Sequence, residues 1–229
     1  SGTVVRTISG THKEDKKDVP DVPNKDGINR YVWDLHENGP VLWMGAAKED
    51  YRGPKEGAPV VPGTYTVRIT LAGKPLERTF EVKPDPRDAW TQSDYLTGYR
   101  FSKKYLGDYS KIDTVLNNLD AMKKSLADAA KTSAGNDAKA AQIAAAQTGR
   151  DAIFALFTAD YHNDEDSIGR PGALREDVPR TFGITPPTAA ALDYAARFDA
   201  DYAAAFAKYN AFVDSVASLS LAGATHVTP

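Results

Sequence analysis

The chain has 229 residues, with 28 basic against 31 acidic side chains and a formal net charge of −3. That length suits two domains, and so even a balance of charge advertises neither a nucleic-acid nor an anionic-membrane partner. No apolar run nears the ~20 residues of a spanning helix, and the absence of cysteine removes disulfide scaffolds, thiol nucleophiles and Cys-ligated zinc together.

Composition changes near Pro84-Asp85-Pro86, so the sequence divides into residues 1–87 and residues 88–229. The first part collects glycine, proline and β-branched residues. Residues 3–8 read as a short strand, and residues 11–26, charged and proline-bearing, as a long exposed loop. From Asn29 to Leu35, Tyr31, Trp33 and Leu35 alternate with Val32 and Asp34, which predicts a second strand. Residues 41–44 suggest a brief third. The clearest strand is Thr64 to Leu71, where Tyr65, Val67, Ile69 and Leu71 alternate with Thr66, Arg68 and Thr70. Ala72-Gly73 then turns the chain, and residues 76–82 return with Phe80 and Val82 on one face, forming a β-hairpin. Four or five strands are few for a complete sandwich, which usually has about seven. Tyr31, Trp33, Tyr65, Val67 and Ile69 are its expected core.

The second part reads as three helices in an antiparallel bundle. Ile112, Val115, Leu116, Leu119, Met122 and Leu126 recur at steps of three and four, although Gly98 and Gly107 weaken any extension of that helix upstream. A second helix is expected over about 137–161. The segment 162–187 reads as a loop. Thr185-Pro186-Pro187-Thr188 then opens a helix with Ala195, Phe198, Tyr202, Phe206, Tyr209, Val213 and Val216 on one stripe.

Few residues invite chemistry. His12, His36, His162 and His226 are scattered without metal-ligand spacing, and there is no Gly-x-Ser-x-Gly elbow or phosphate-binding glycine loop. The acidic run Asp160–Asp166 offers oxygens at alternate positions, so calcium is a candidate cofactor there. However, Glu165 stands where a calcium loop needs glycine, and Pro171 where it needs Glu. The aromatic series Trp90, Tyr95, Tyr99, Phe101, Tyr105 and Tyr109 could stack on sugar rings. Helical spacing favours core packing for the same residues. No catalytic residue is assigned.

Several motifs in order resemble a known pattern: Gly2-Thr3-Val4-Val5-Arg6-Thr7, Asn29-Arg30-Tyr31-Val32-Trp33-Asp34-Leu35, Pro62-Gly63-Thr64-Tyr65-Thr66-Val67-Arg68 and Val82-Lys83-Pro84-Asp85-Pro86-Arg87. Pro171-Gly172-Ala173-Leu174-Arg175 and Pro186-Pro187-Thr188 follow. The set resembles the C-terminal region of secreted bacterial proteins built on BNR or sortilin-like propellers, often labelled glycosyl hydrolases. In these a hook-capping-type Ig-like domain precedes a helical region. The resemblance implies an Ig-like β-sandwich, incomplete because Gly2 falls where the family already has a strand and a turn behind it, followed by the helical bundle. It further implies an exported protein, periplasmic or extracellular, whose N-terminal propeller is this chain's partner. The function expected is that of a non-catalytic structural and interaction module, with the Asp85-Pro86-Arg87 junction stiffened by proline. The alternatives are a carbohydrate-binding accessory domain that takes polysaccharide on the aromatic series, or an Asp160–Asp166 loop that completes the propeller's catalytic site.

Overall fold

The alternation read from Thr64 to Leu71 produces the best-formed strand in the molecule. β3 (Gly63–Leu71) pairs antiparallel with β4 (Lys74–Val82), in register from Gly63↔Val82 to Leu71↔Lys74. Ala72 (φ 48°) and Gly73 (φ 77°) make the two-residue turn, the left-handed pair that matches the strands' own twist. A shorter hairpin pairs β1 (Thr11–Glu14) with β2 (Lys17–Pro20). The computed structural model describes residues 2–8, 11–14, 17–23, 25–46, 53–133, 135–158, 173–179 and 183–229.

The expected Ig-like β-sandwich, complete or incomplete, is overturned. Among the described residues the strands form two separate two-stranded sheets, and helix is the dominant structure. Residues 3–8, 29–35 and 41–44 are not strands. Residues 29–35 alternate, but among the described residues no neighbouring strand completes a ladder beside any of the three stretches. Among the described residues, 35–38 make only isolated backbone bonds: Glu37 N to Ala58 O at 2.9 Å, Gly57 N to Glu37 O at 3.2 Å, Val60 N to Leu35 O at 2.8 Å and Asn38 N to Val5 O at 3.2 Å. Among the described residues no second sheet packs face to face over them, and Tyr31 (43%), Val67 (43%) and Ile69 (59%) stay exposed instead of forming a core.

Among the described residues four α-helices follow: α1 (Gln92–Lys131), α2 (Asp137–Phe157), the single turn α3 (Leu174–Asp177) and α4 (Ala189–Ser215). α1 starts well upstream of the expected stripe. Gly98 is accommodated inside it because the backbone of Ile184 lies so near that a Cβ would meet the Ile184 carbonyl at 2.4 Å. Asn136 caps α2 by accepting from Lys139 N, and Thr188 caps α4 by accepting from Ala191 N. α3 lies within the stretch expected to be loop.

Backbone contacts separate two units. One comprises Ser1–Gly39, Lys55–Lys103 and Phe182–Pro186, and the other Pro40–Pro54, Lys104–Thr181 and Pro187–Pro229. Pro84–Arg87 lies inside the first, where the Arg87 side chain donates to both Asp85 carboxylate oxygens. The second has its core on the α1 stripe, with Ile112, Val115, Leu116, Leu119, Met122 and Leu126 fully buried. α4 runs alongside α1, Tyr105 meeting Phe198 and Asn118 meeting Tyr209. α2 runs against α4, Phe157 packing edge-on to Phe206 at 5.3 Å while Gln142 reaches Ser218. Among the described residues, no helix is long and apolar enough to cross a membrane.

Candidate functional site

The β3–β4 hairpin has two unlike faces. Thr64, Thr66, Arg68 and Thr70, with Pro75, Glu77, Thr79 and Glu81, make one polar face, on which Arg68 pairs with Glu77. The other carries Tyr65, Val67, Ile69 and Leu71 opposite Phe80, Arg78, Leu76 and Lys74. Trp33 covers only its base, edge-on to Tyr65 at 5.8 Å and to Phe80 at 6.2 Å, while its Nε1 donates to His36 O. Towards the turn the apolar face lies open. Ile69 is 59% exposed, Leu76 60% and Leu71 70%. Contiguous apolar surface of this kind marks an interaction site more often than an isolated exposed leucine does.

The aromatic series does not form a row on one surface. Tyr95, Tyr105 and Tyr109 are 2%, 3% and 4% exposed, so none offers a ring face to a sugar. Tyr105 packs edge-on to Phe198, and the Arg175 guanidinium lies over Tyr109 at 5.2 Å. Tyr99 and Phe101 are half-buried, and Trp90 is exposed. Tyr99 Oη donates to Glu37 Oε1 at 2.6 Å, and Lys103 Nζ reaches the same carboxylate at 2.9 Å and Tyr99 Oη at 2.8 Å. Burial raises the Tyr99 pKa, with Glu37 adding to the effect and Lys103 opposing it, so the phenol keeps its proton. This grouping is a lock, since each of its charges already has a partner.

The most elaborate polar arrangement was not foreseen. On α1, Ser110, Asp113, Asn117 and Asp120 recur at steps of three and four and face residues 41–44. Val41 N donates to Ser110 Oγ at 2.7 Å, Trp43 N to Asp113 Oδ2 at 2.7 Å and Met44 N to Asn117 Oδ1 at 2.9 Å. Asn117 Nδ2 donates back to Leu42 O at 3.0 Å, and Trp43 Nε1 donates to Asp120 Oδ2 at 2.7 Å. The helix thus supplies to this segment the bonds that a neighbouring strand would otherwise make.

Two arginines complete the arrangement. Arg175 of α3 donates through Nε to Asp113 Oδ1, and its guanidinium lies over the Trp43 ring at 5.6 Å. Burial pushes the Asp113 carboxyl above its ordinary range, an effect that Arg175 only partly reverses. Arg150 of α2, itself buried, donates to Leu119 O, Asp120 Oδ1 and Asp151 Oδ1 and lies over Phe154 at 4.4 Å. The sequence signal for the α1 side of this arrangement was the polar stripe beside the apolar one; the two arginines left none.

Lys104 bridges Asp108 at 3.0 Å and Asp199 at 2.6 Å and sits over the Tyr105 ring. Burial works against its charge, but the two carboxylates more than offset this and raise its pKa. A cavity of about 510 Å³ in the second unit is lined by Leu156, Leu174 and Phe198 together with Arg197, Lys208, Asp177 and Asp201. Charges of both signs leave no single field there to select an anion or a cation.

The calcium candidate Asp160–Asp166 lies outside the described residues, as does Pro171-Gly172. Among the described residues, no group of three or more His, Asp or Glu side chains could hold a metal ion. No family model matches this chain, and no curated protein or solved structure is detectably similar to it.

Proposed function

We propose that the chain is a non-catalytic structural and interaction module of a larger exported protein of the propeller class that its motifs resemble. The observation that carries this reading is the open apolar face of the β3–β4 hairpin around Ile69, Leu71 and Leu76. A two-stranded ribbon gains little from burial on its own, and exposed leucine and isoleucine on a formed strand favour covering by a partner. In this reading the partner is the propeller of the same parent protein, and Arg78 and Lys74 on the same face add charge selectivity at the rim.

The test starts from the coding sequence on the N-terminal side of residue 1 and the intact mass of the native protein. A signal peptide and a propeller upstream support the reading, and a natural protein that starts at this point overturns it. The propeller, expressed separately, is then titrated against this chain by calorimetry. Binding that is lost in an Ile69→Asp/Leu76→Asp variant supports the hairpin as the contact, and binding that is unaffected overturns it.

A further inference from the structure

The hairpin has a second unsatisfied feature, one of edge rather than face. Leu71 and Lys74 flank a two-residue turn and form its first hydrogen-bonded pair. The N–H and C=O groups of Gly63, Tyr65, Val67, Ile69 and Leu71 therefore point inward to β4. Those of Thr64, Thr66, Arg68 and Thr70 point outward. Among the described residues no strand pairs with that edge. Natural sheets usually blunt a free edge with proline, with charge or by covering it. The β4 edge is blunted in this way, since Pro75 lacks an N–H at an outward position and Glu77 and Glu81 occupy two of the others. The β3 edge has only Arg68, already paired with Glu77, among three threonines of high strand preference.

We propose that the β3 edge pairs antiparallel with the β3 edge of a second copy of this chain, joining two hairpins into a four-stranded sheet. The sequence is self-complementary about Val67, the midpoint of β3. Full overlap sets Thr64 against Thr70 and Thr66 against Arg68 as hydrogen-bonded pairs, each exchanging both N–H···O bonds. On the apolar face it sets Tyr65 against Ile69 and Val67 against Val67 of the second copy. No like charges then stand opposite one another. A shift that centred the pairing on Arg68 would oppose two guanidinium groups and is disfavoured. Two-fold symmetry makes such a contact closed, so it ends at a dimer. The pairing uses backbone groups at the edge and leaves the open face free, widened to four strands. It goes beyond the interaction-module reading and stands without it.

The absence of any native cysteine makes the register directly measurable. In the proposed pairing, Val67 and its symmetry mate form a non-hydrogen-bonded pair with Cα atoms about 4.5 Å apart, inside the span a disulfide bridges. A Val67→Cys variant should oxidise almost fully to a covalent dimer, whereas Thr79→Cys, on the β4 edge, should not. Sedimentation of the unmodified chain should give twice the 24.8 kDa monomer mass. Thr66→Pro removes one outward N–H without touching the β3–β4 ladder and should yield a folded monomer, verified by unchanged circular dichroism. Thr79→Pro should leave the dimer intact. If Thr66→Pro fails to fold, Thr66→Lys places a second cation opposite Arg68 of the other copy and should weaken the dimer at least tenfold. A monomer at 100 µM, or a dimer indifferent to Thr66→Lys, overturns the proposal. So does a Val67→Cys chain that crosslinks no more than Thr79→Cys.

Discussion

Arg175 Nε stands 2.7 Å from Asp113 Oδ1, and the two side chains are only 7% and 0% exposed. Asp113 also accepts from Trp43 N, so a single carboxylate joins α1, α3 and the 41–44 segment. Asp113→Ala would take from a buried guanidinium the carboxylate it is bonded to, a change that costs about 3–5 kcal/mol. An Asp113→Leu/Arg175→Met double variant should recover much of that loss, because removing both charges also removes their desolvation penalty. Recovery stays incomplete, since the Trp43 amide still lacks its acceptor. Urea denaturation of the three proteins checks the order. A single variant as stable as the unaltered chain would show that the pair adds nothing.

Asn117 addresses one peptide strand with both ends of its amide, donating to Leu42 O and accepting from Met44 N. Asn117→Asp keeps the acceptor but loses the donor and sets a carboxylate oxygen against a carbonyl, so it should destabilise by about 1–3 kcal/mol. Ser110→Ala should cost well under that, because its bond to Val41 N lies at the surface, where water substitutes. Hydrogen exchange at the Trp43 and Met44 amides reads the difference, and Asn117→Asp should quicken both.

That segment also shows what was legible in the sequence. Residues 41–44, whose pattern suggested a brief strand, form none, and Met44 stands in a turn. Their partners are side chains of a helix some 70 residues later, and no local periodicity encodes such a pairing. The β3–β4 hairpin was legible because everything that specifies it is local: alternation, a two-residue turn and matched strand lengths. The stripe from Ile112 to Leu126 was legible for the same reason. Gly98 misled because its helix penalty was visible, whereas the approach of Ile184 that requires a small residue was not. The buried arginines were missed because burial of a charge depends on partners contributed by other elements. Arg175 was visible only as one letter of a motif.

Alkaline pH should unfold this protein through its tyrosines. Burial raises the pKa of Tyr65, Tyr95, Tyr99, Tyr105, Tyr202 and Tyr209 above the ordinary value of 10.0. Unfolded, these phenols begin to lose protons near pH 10, and folded they retain them. The unfolded state therefore binds fewer protons above that point, and stability falls as pH rises. Their contribution should be whole below about pH 10 and drain away towards the raised folded values. Urea midpoints between pH 8 and 11.5 should be flat and then fall. Absorbance at 295 nm should show a late, cooperative phase of ionisation coincident with unfolding. Smooth ionisation of all eleven tyrosines before any loss of helix would contradict this.

The same burial separates the aromatic series into two populations that single substitutions can tell apart. Tyr95 is 2% exposed and its hydroxyl lies 3.4 Å from Asp88 Oδ2, so Tyr95→Ala should cost about 3–5 kcal/mol, as loss of a buried aromatic does. Trp90, 44% exposed, should change stability by no more than about 0.5 kcal/mol on replacement by alanine. Affinity electrophoresis in a polysaccharide gel then asks whether any member serves a ligand. Stacking needs an accessible face, so retardation caused by this series must depend on Trp90, or on Tyr99 once released from Glu37. Retardation that survives Trp90→Ala and Tyr99→Phe would place sugar binding elsewhere on the chain. Retardation abolished by Trp90→Ala at unchanged stability would make that exposed indole a sugar platform.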